Sequence, residues 1–296
     1  MPKTKNLNLV KLIEHFGSED ECRKYLEGVR WPNGVECPRC GCESVSEIKD
    51  RGQFDCNECR YQFSVKAGTI FHDSHLPLQK WFIAIYLMLE SKKGVSANQL
   101  KRTIGVSYKT AWYLCHRIRE AMKNGDEPKL RGTVEVDETF IGGKRKGVGS
   151  GNREGKTLVI GAAQRGGEIR LDIISDRGRR TLHKFIHGHA EKDSTVYTGE
   201  WQAYLGVVQD HETVNHHIEE WVNGPVHTNT AESVWSLLKR SIVGAYHKVS
   251  VKHLDRYLDE LEFRFNNRRN PFIFRDALRL MVGTGNMEYR ELISSG

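Results

Sequence analysis

Cys37-Pro-Arg-Cys40 and Cys56-Asn-Glu-Cys59 are two CxxC pairs, with residues 41–55 between them. Each pair turns the backbone so that both sulfurs face one point, and this spacing fits a four-thiolate zinc site on two short knuckles. Four sulfurs close the coordination shell, so a Zn2+ held there would be structural rather than catalytic. Gly41 allows the turn after the first pair, and Phe54, Tyr61 and Phe63 are placed to pack a small core. Four buried free thiols would give the same pattern without a metal. Cys42 offers an alternative to Cys40, whereas Cys22 and Cys115 sit in helix-like patterns and read as core thiols.

A second group of residues carries carboxylates. In "VEVDETF", alternation puts Val134 and Val136 on one face of a strand and Glu135 and Asp137 on the other, with Glu138 opposite Asp137. A carboxylate inside a β-favouring run is either part of a solvated face or a ligand for a divalent metal. Glu232 opens a helical pattern in "HTNTAESVWSLLKR", and Lys239 follows almost two turns later on the same face, with Trp235 and Ser236 between. Viewed alone, that pair also fits a chance arrangement on a solvated face. The stretch "TVYTGEW" reads as a strand that Gly199 stops.

The elements that must position these residues fall into a multidomain α+β chain. Residues 1–30 read as an N-terminal helical segment, 31–72 as a zinc ribbon, 76–125 as a helix-turn-helix, 130–270 as an α/β domain with a mixed sheet, and 271–296 as a C-terminal tail. In the helix-turn-helix, "LQKWFIAIYLMLES" and "SANQLKRTI" precede a Gly105-Val106 turn, and Ser107 caps "YKTAWYLCHRIREAMK". Tyr108, Lys109, Thr110 and Arg117 on that last helix are candidate DNA contacts, although a three-helix bundle with a basic solvated face shows the same pattern. From Arg131 the expected order is three strands, helix, strand, helix, strand, helix, with the fifth strand in "ETVNHHIEEW". The glycine-rich basic loop 142–156 lacks the GxxxxGK[ST] pattern; it reads as a hairpin tip in which Lys144, Arg145 and Lys146 face DNA backbone, and equally as a solvated flexible loop. The histidines show no metal-ligand spacing.

Composition fits these readings. The chain has 296 residues, 38% hydrophobic and 28% charged, with a net charge of +7 and a pI of about 9.0. That balance favours a polyanionic partner, nucleic acid first and an anionic membrane surface second. The longest apolar run, 81–89, is too short to cross a bilayer, and no secretory signal is apparent at the N-terminus. A reducing, cytoplasmic setting and no membrane partner are therefore expected.

The chain resembles the DDE-class transposases of bacterial insertion sequences, in the group with an N-terminal zinc ribbon. The stretches that carry the resemblance are "RWPNGVECPRCG", "VDETFIGGKRK", "GKTLVIGA", "VYTGEWQAY", "HTNTAESVWSLLKR", "GAYHKVSVKHLDRYLDELEFRFNNR" and "EYRELI", in family order along nearly the whole chain. The resemblance implies an RNase H-like catalytic fold and two Mg2+ or Mn2+ ions held by three carboxylates. It also implies cleavage and transfer of double-stranded DNA at transposon ends into target DNA, by a homodimer or larger assembly in the bacterial nucleoid. Asp137 corresponds to the family's first carboxylate, Glu232 to the third, and Lys239 to a basic residue near a DNA phosphate. Asn229 and His227 are polar neighbours of that third position.

The family's second carboxylate, an Asp, falls on Gly199 in this chain. Glu200 is the nearest stand-in, one residue on and on the opposite side of the strand; Asp193, Asp172 and Asp176 are more distant. Two functions follow from the resemblance: a working transposase, or a catalytically inactive, transposase-derived DNA-binding protein or repressor. A zinc-ribbon transcription regulator unrelated to transposition is a third reading, against which the ordered stretches around Asp137 and Glu232 argue.

Overall fold

The computed structural model describes residues 4–123, 125, 127–142, 155–214 and 227–294. The chain divides into two compact units, residues 1–123 with 269–296, and residues 124–268. The expected tail is therefore not a tail: helices α9 (Ile273–Gly283) and α10 (Tyr289–Ser294), numbered in chain order, fold back into the first unit. Buried Phe274 explains the return, since it packs with Phe16 and Phe82 in an aromatic cluster that Tyr25 completes.

The first unit opens with α1 (Leu9–His15) and α2 (Glu19–Arg30). A reciprocal cap starts α2: Ser18 Oγ accepts from the Glu21 amide, and Glu21 Oε2 accepts from the Ser18 amide. An antiparallel sheet follows, β1 (Val45–Ile48), β2 (Gln53–Cys56) and β3 (Gln62–Phe63), in that order. Its small core is aromatic, with Trp31, Phe54 and Phe63 in mutual contact. Three helices come next, α3 (Leu78–Glu90), α4 (Ala97–Ile104) and α5 (Tyr108–Ala121). Ser96 and Ser107 accept the amides of Gln99 and Thr110, and Gly105 (φ +62°) turns the chain in a left-handed conformation open to glycine. These are the cap and turn read from the sequence.

The second unit is built on a five-stranded sheet of order β6-β5-β4-β7-β8. Its strands are β4 (Thr133–Ile141), β5 (Thr157–Gln164), β6 (Ile169–Ile174), β7 (Thr195–Gly199) and β8 (Asp210–Val214). β4, β5 and β6 form an antiparallel meander, while β7 runs parallel to β4 and β8 parallel to β7. Helix α6 (Arg179–His189) covers one face, with Leu182, Phe185 and Ile186 against Val134, Val136 and Val196. Helices α7 (Asn229–Ser241) and α8 (Leu254–Asn266) cover the other, with Val234, Leu238, Leu258 and Leu261 against Val159, Ala163 and Ile169. Each such Val, Leu, Ile or Phe side chain removed from water contributes roughly 1.5–3 kcal/mol to stability. This order, with helices on both faces, is the expected RNase H-like arrangement. One element differs: between β7 and β8 there is a single 3-10 turn, Gln202–Tyr204, where a helix was expected. The fifth strand begins two residues earlier than expected, and the remainder of "ETVNHHIEEW" lies outside the described residues.

The outer edge of the sheet is closed by side chains. The amides of Ile169, Leu171 and Ile173 alternate along β6 and face away from β5. Asn266 Oδ1 on α8 accepts the first at 2.8 Å, Glu262 Oε2 on α8 the second at 2.8 Å, and Asp172 Oδ1 the third at 2.7 Å.

Candidate catalytic centre and metal sites

Cys37 and Cys40 stand on the first knuckle, and Cys56 and Cys59 on the second, where β2 ends. Their four ligand atoms all lie within 4.8 Å of one another. The Sγ–Sγ distances are 3.6 Å for Cys37–Cys59 and for Cys40–Cys56. A tetrahedral zinc with bonds of about 2.3 Å places its sulfurs about 3.8 Å apart, so the donor set fits that ion. The Cys59 amide N–H points at Cys56 Sγ and pulls that thiol down to about 6, toward the thiolate a metal requires. Cys42 is excluded from the cluster; its sulfur faces the Ser44 amide instead.

The candidate DNA contacts on α5 separate into two kinds. Tyr108 is exposed, Thr110 joins the Ser107 cap, and the Lys109 ammonium lies 4.4 Å from the centre of the Tyr289 ring. Arg117 is a correction. It is 4% exposed, donates to His72 O at 2.7 Å and Asn286 Oδ1 at 3.3 Å, and lies over the rings of Trp81 and Tyr113. Its guanidinium is held inside the first unit rather than on the exposed face of α5. Lys144, Arg145 and Lys146 fall outside the described residues.

The carboxylates are positioned by β4, β7 and α7. β4 pairs with β7 through Thr133↔Thr195, Val134↔Val196 and Glu135↔Tyr197. The same offset carried to the strand end sets Gly199 beside Asp137, on the same face, and leaves Glu200 with the opposite parity. Glu200 is exposed. Asp172 satisfies the β6 edge, and Asp176 accepts the Gly178 amide at 2.7 Å ahead of α6, so neither fills the place beside Asp137.

Trp235 ties Asp137 to α7. Its indole Nε1 donates to Asp137 Oδ2 at 2.9 Å. The ring lies across β5 at Gly161, the residue registered opposite Asp137. A Cβ on Gly161 would come within 2.6 Å of the Trp235 ring and 2.9 Å of Leu171. Burial first, and the Glu138 charge next, push the Asp137 carboxyl up to about 6; the Trp235 hydrogen bond opposes this and Glu232 adds to it. Glu232, one turn before Trp235, is thus brought within electrostatic reach of Asp137. Glu232 and Lys239 are both exposed, as their shared helix face requires.

On the reverse face, Glu138 is almost fully buried. It accepts from the Tyr204 hydroxyl and pairs with Arg177. Arg177 in turn lies over Trp201, whose indole donates to Arg177 O at 3.0 Å. The "GEWQAY" loop that follows Gly199 is thereby pinned to β4. Nothing near Glu138, Arg177, Tyr204 or Glu135 in the sequence signals these contacts; Gly161 does carry a signal, since a glycine inside a strand marks close approach.

The donor chemistry fits one hard divalent ion. Magnesium is commonly held by one or two carboxylates and completed by water and phosphate. Asp137 and Glu232 are carboxylates of that kind, and Gly199 offers no side-chain ligand. Among the described residues, the cysteine cluster is the one group of three or more potential ligands close enough for a shared metal.

A family model for the ISXO2-like transposase domain matches residues 129–266, and one for the transposase zinc-ribbon domain matches residues 17–62. A protein in transposable element ISH50 of Halobacterium salinarum is 31% identical over 298 residues, spanning 92% of this chain and 98% of the relative. That source is archaeal and lends no support to the expected bacterial origin. Among solved structures, a pre-cleavage Mos1 transpososome matches across 96% of each chain at 13% identity and a TM-score of 0.27, too low to carry a structural argument. No described helix is long and apolar enough to cross a membrane.

Proposed function

Since the chain belongs to the ISXO2-like transposases with an N-terminal zinc ribbon, we propose that it binds double-stranded DNA at transposon ends and carries a metal-dependent strand-cleaving centre that lacks one carboxylate. The observation that carries this reading is the Trp235 hydrogen bond that ties α7, and with it Glu232, to Asp137 on β4, with Gly199 at the end of the strand paired to β4. A bound divalent ion would activate a water or 3′-hydroxyl and neutralise charge on the phosphate. The residues themselves do the positioning. Trp235 holds Asp137 through Oδ2, and Lys239 on the same helix face as Glu232 meets a DNA phosphate. A zinc on Cys37, Cys40, Cys56 and Cys59 holds the ribbon. Tyr108, Lys109 and Thr110 approach DNA, as do Lys144, Arg145 and Lys146. Target DNA and a second copy of the chain complete the assembly, and DNA binding would place it with the nucleoid.

The test measures binding and cleavage of terminal-repeat DNA with Mg2+ and Mn2+ side by side. Binding should persist and fall steeply with salt. Cleavage should be very slow or undetectable, and Gly199→Asp should raise it by more than about a hundredfold, the scale on which mispositioned reacting groups lose rate. Robust cleavage by the unmodified chain that survives Glu200→Gln would overturn the assignment of position 199; cleavage lost with Glu200→Gln would make Glu200 the stand-in. The second reading, a DNA-binding repressor, is favoured by the same glycine, and it holds if Gly199→Asp restores nothing while binding persists.

A further inference from the structure

Glu135 is fully buried, a costly place for a carboxylate unless partners surround it. Five groups do. Oε2 accepts the amides of Thr230 at 2.7 Å and Ala231 at 3.2 Å. Oε1 accepts Arg165 Nε at 2.7 Å and Thr230 Oγ1 at 2.9 Å, and lies 3.2 Å from His227 Nδ1. The two amides belong to the first turn of α7, where backbone N–H groups have no partner within the helix and the helix dipole favours a negative charge. α7 has no cap of its own, because the Thr228 side chain makes no capping bond and its hydroxyl is turned to Glu232. A helix start is therefore capped from the sheet, by a residue two positions before Asp137 on the same strand face. The capped amide of Ala231 immediately precedes Glu232.

We propose that Glu135 is a positioning residue: by clamping the first turn of α7 onto β4 it sets Glu232 beside Asp137, and it remains outside the metal shell because its oxygens are engaged. The proposal rests on the reading of Asp137 and Glu232 as the metal-holding pair, but its geometry has a reporter that needs no metal. The Trp235 indole N–H meets Asp137 only while α7 keeps its place on the sheet.

The experiment uses the full chain with 15N-labelled tryptophan, the Trp235 indole signal being assigned with Trp235→Phe. Glu135→Gln is compared with Leu258→Ala, which opens the core beneath α7 and α8 without touching the clamp. In Glu135→Gln, hydrogen exchange at the Trp235 indole should accelerate severalfold, and Mn2+ affinity, titrated by its paramagnetic resonance signal, should fall at least about tenfold, as for other outer-shell partners of metal ligands. Leu258→Ala, compared at matched thermal stability, should change neither to that extent. Unchanged indole exchange in Glu135→Gln, or equal changes in both variants, would overturn the proposal. If the unmodified chain binds no Mn2+, the catalytic reading fails, while the indole comparison still decides the role of Glu135. Should Glu135→Gln not fold, Thr230→Val, which removes only the hydroxyl contact, carries the same comparison at smaller amplitude.

Discussion

The indole of Trp235 reaches Asp137 by lying over a glycine. Its Nε1 is 2.9 Å from Asp137 Oδ2, and the residue beneath the ring, Gly161, is registered against Asp137 on the next strand. Glycine at 161 is thus a condition for the bridge between α7 and β4.

Gly161→Val should test that condition. The added Cβ would meet the Trp235 ring at 2.6 Å and Leu171 at 2.9 Å, so the indole must move. Overpacking of this kind costs about 1–3 kcal/mol. Urea denaturation should report that loss, and the Trp235 indole N–H should lose its protection. An unchanged indole signal would mean that the ring has another way to reach Asp137.

The zinc ribbon should fail by itself. Cys56→Ser removes one of four sulfurs and should abolish the zinc found by metal analysis of chelator-free protein. The domain after Arg131 should keep its melting transition. Absence of zinc from the unmodified protein would remove the zinc assignment altogether.

Arg117 and Lys109 should behave differently. Arg117 is buried against Trp81 and Tyr113, so Arg117→Ala should act on stability, by about 1–3 kcal/mol for the unpaired carbonyl left behind. The salt dependence of DNA binding by the folded fraction should not change. Lys109→Glu should instead weaken DNA binding at low salt and leave the unfolding midpoint almost unchanged. A lower salt slope in Arg117→Ala would return that residue to the DNA surface.

Glu262 should make the second unit sensitive to pH. Burial raises its carboxyl to about 8, against the opposing pull of the Leu171 amide and of Arg170. The native state then retains a proton that the unfolded chain releases near its ordinary value of 4.5. Stability from this group is full below that value, falls as pH rises, and levels off above about 8. Glu262→Gln preserves an acceptor for the Leu171 amide and should flatten this dependence in melting temperatures taken from pH 5 to 9.

Local patterns revealed the elements, while long-range packing decided their surroundings. The strand of Asp137, the strand end at Gly199 and the helix of Glu232 were legible because alternation, a strand-ending glycine and a helical face are written within a few residues of each, whereas a metal role for these positions comes from the family resemblance. The β4–β7 register carries the same 62-residue offset as the spacing from 137 to 199. The cap on α7 was not legible, because Glu135 meets Thr230 across 95 residues and nothing near either announces the other. Arg117 differs from its reading for the same reason: on a single helix it is one more basic residue, and its burial depends on His72 and Trp81 and on Asn286, 169 residues later. A C-terminal segment that supplies aromatic core cannot be told from a tail by periodicity until its partners are known.

The edge of β6 sets a rule for how copies of this protein meet. An open strand edge is a template on which another chain can continue the sheet. Here a second copy would first have to strip Asn266 and Glu262 from the amides of Ile169 and Leu171. Growth of the sheet from this side is blocked by the molecule's own helix, so a second copy that adds to this sheet has to do so elsewhere.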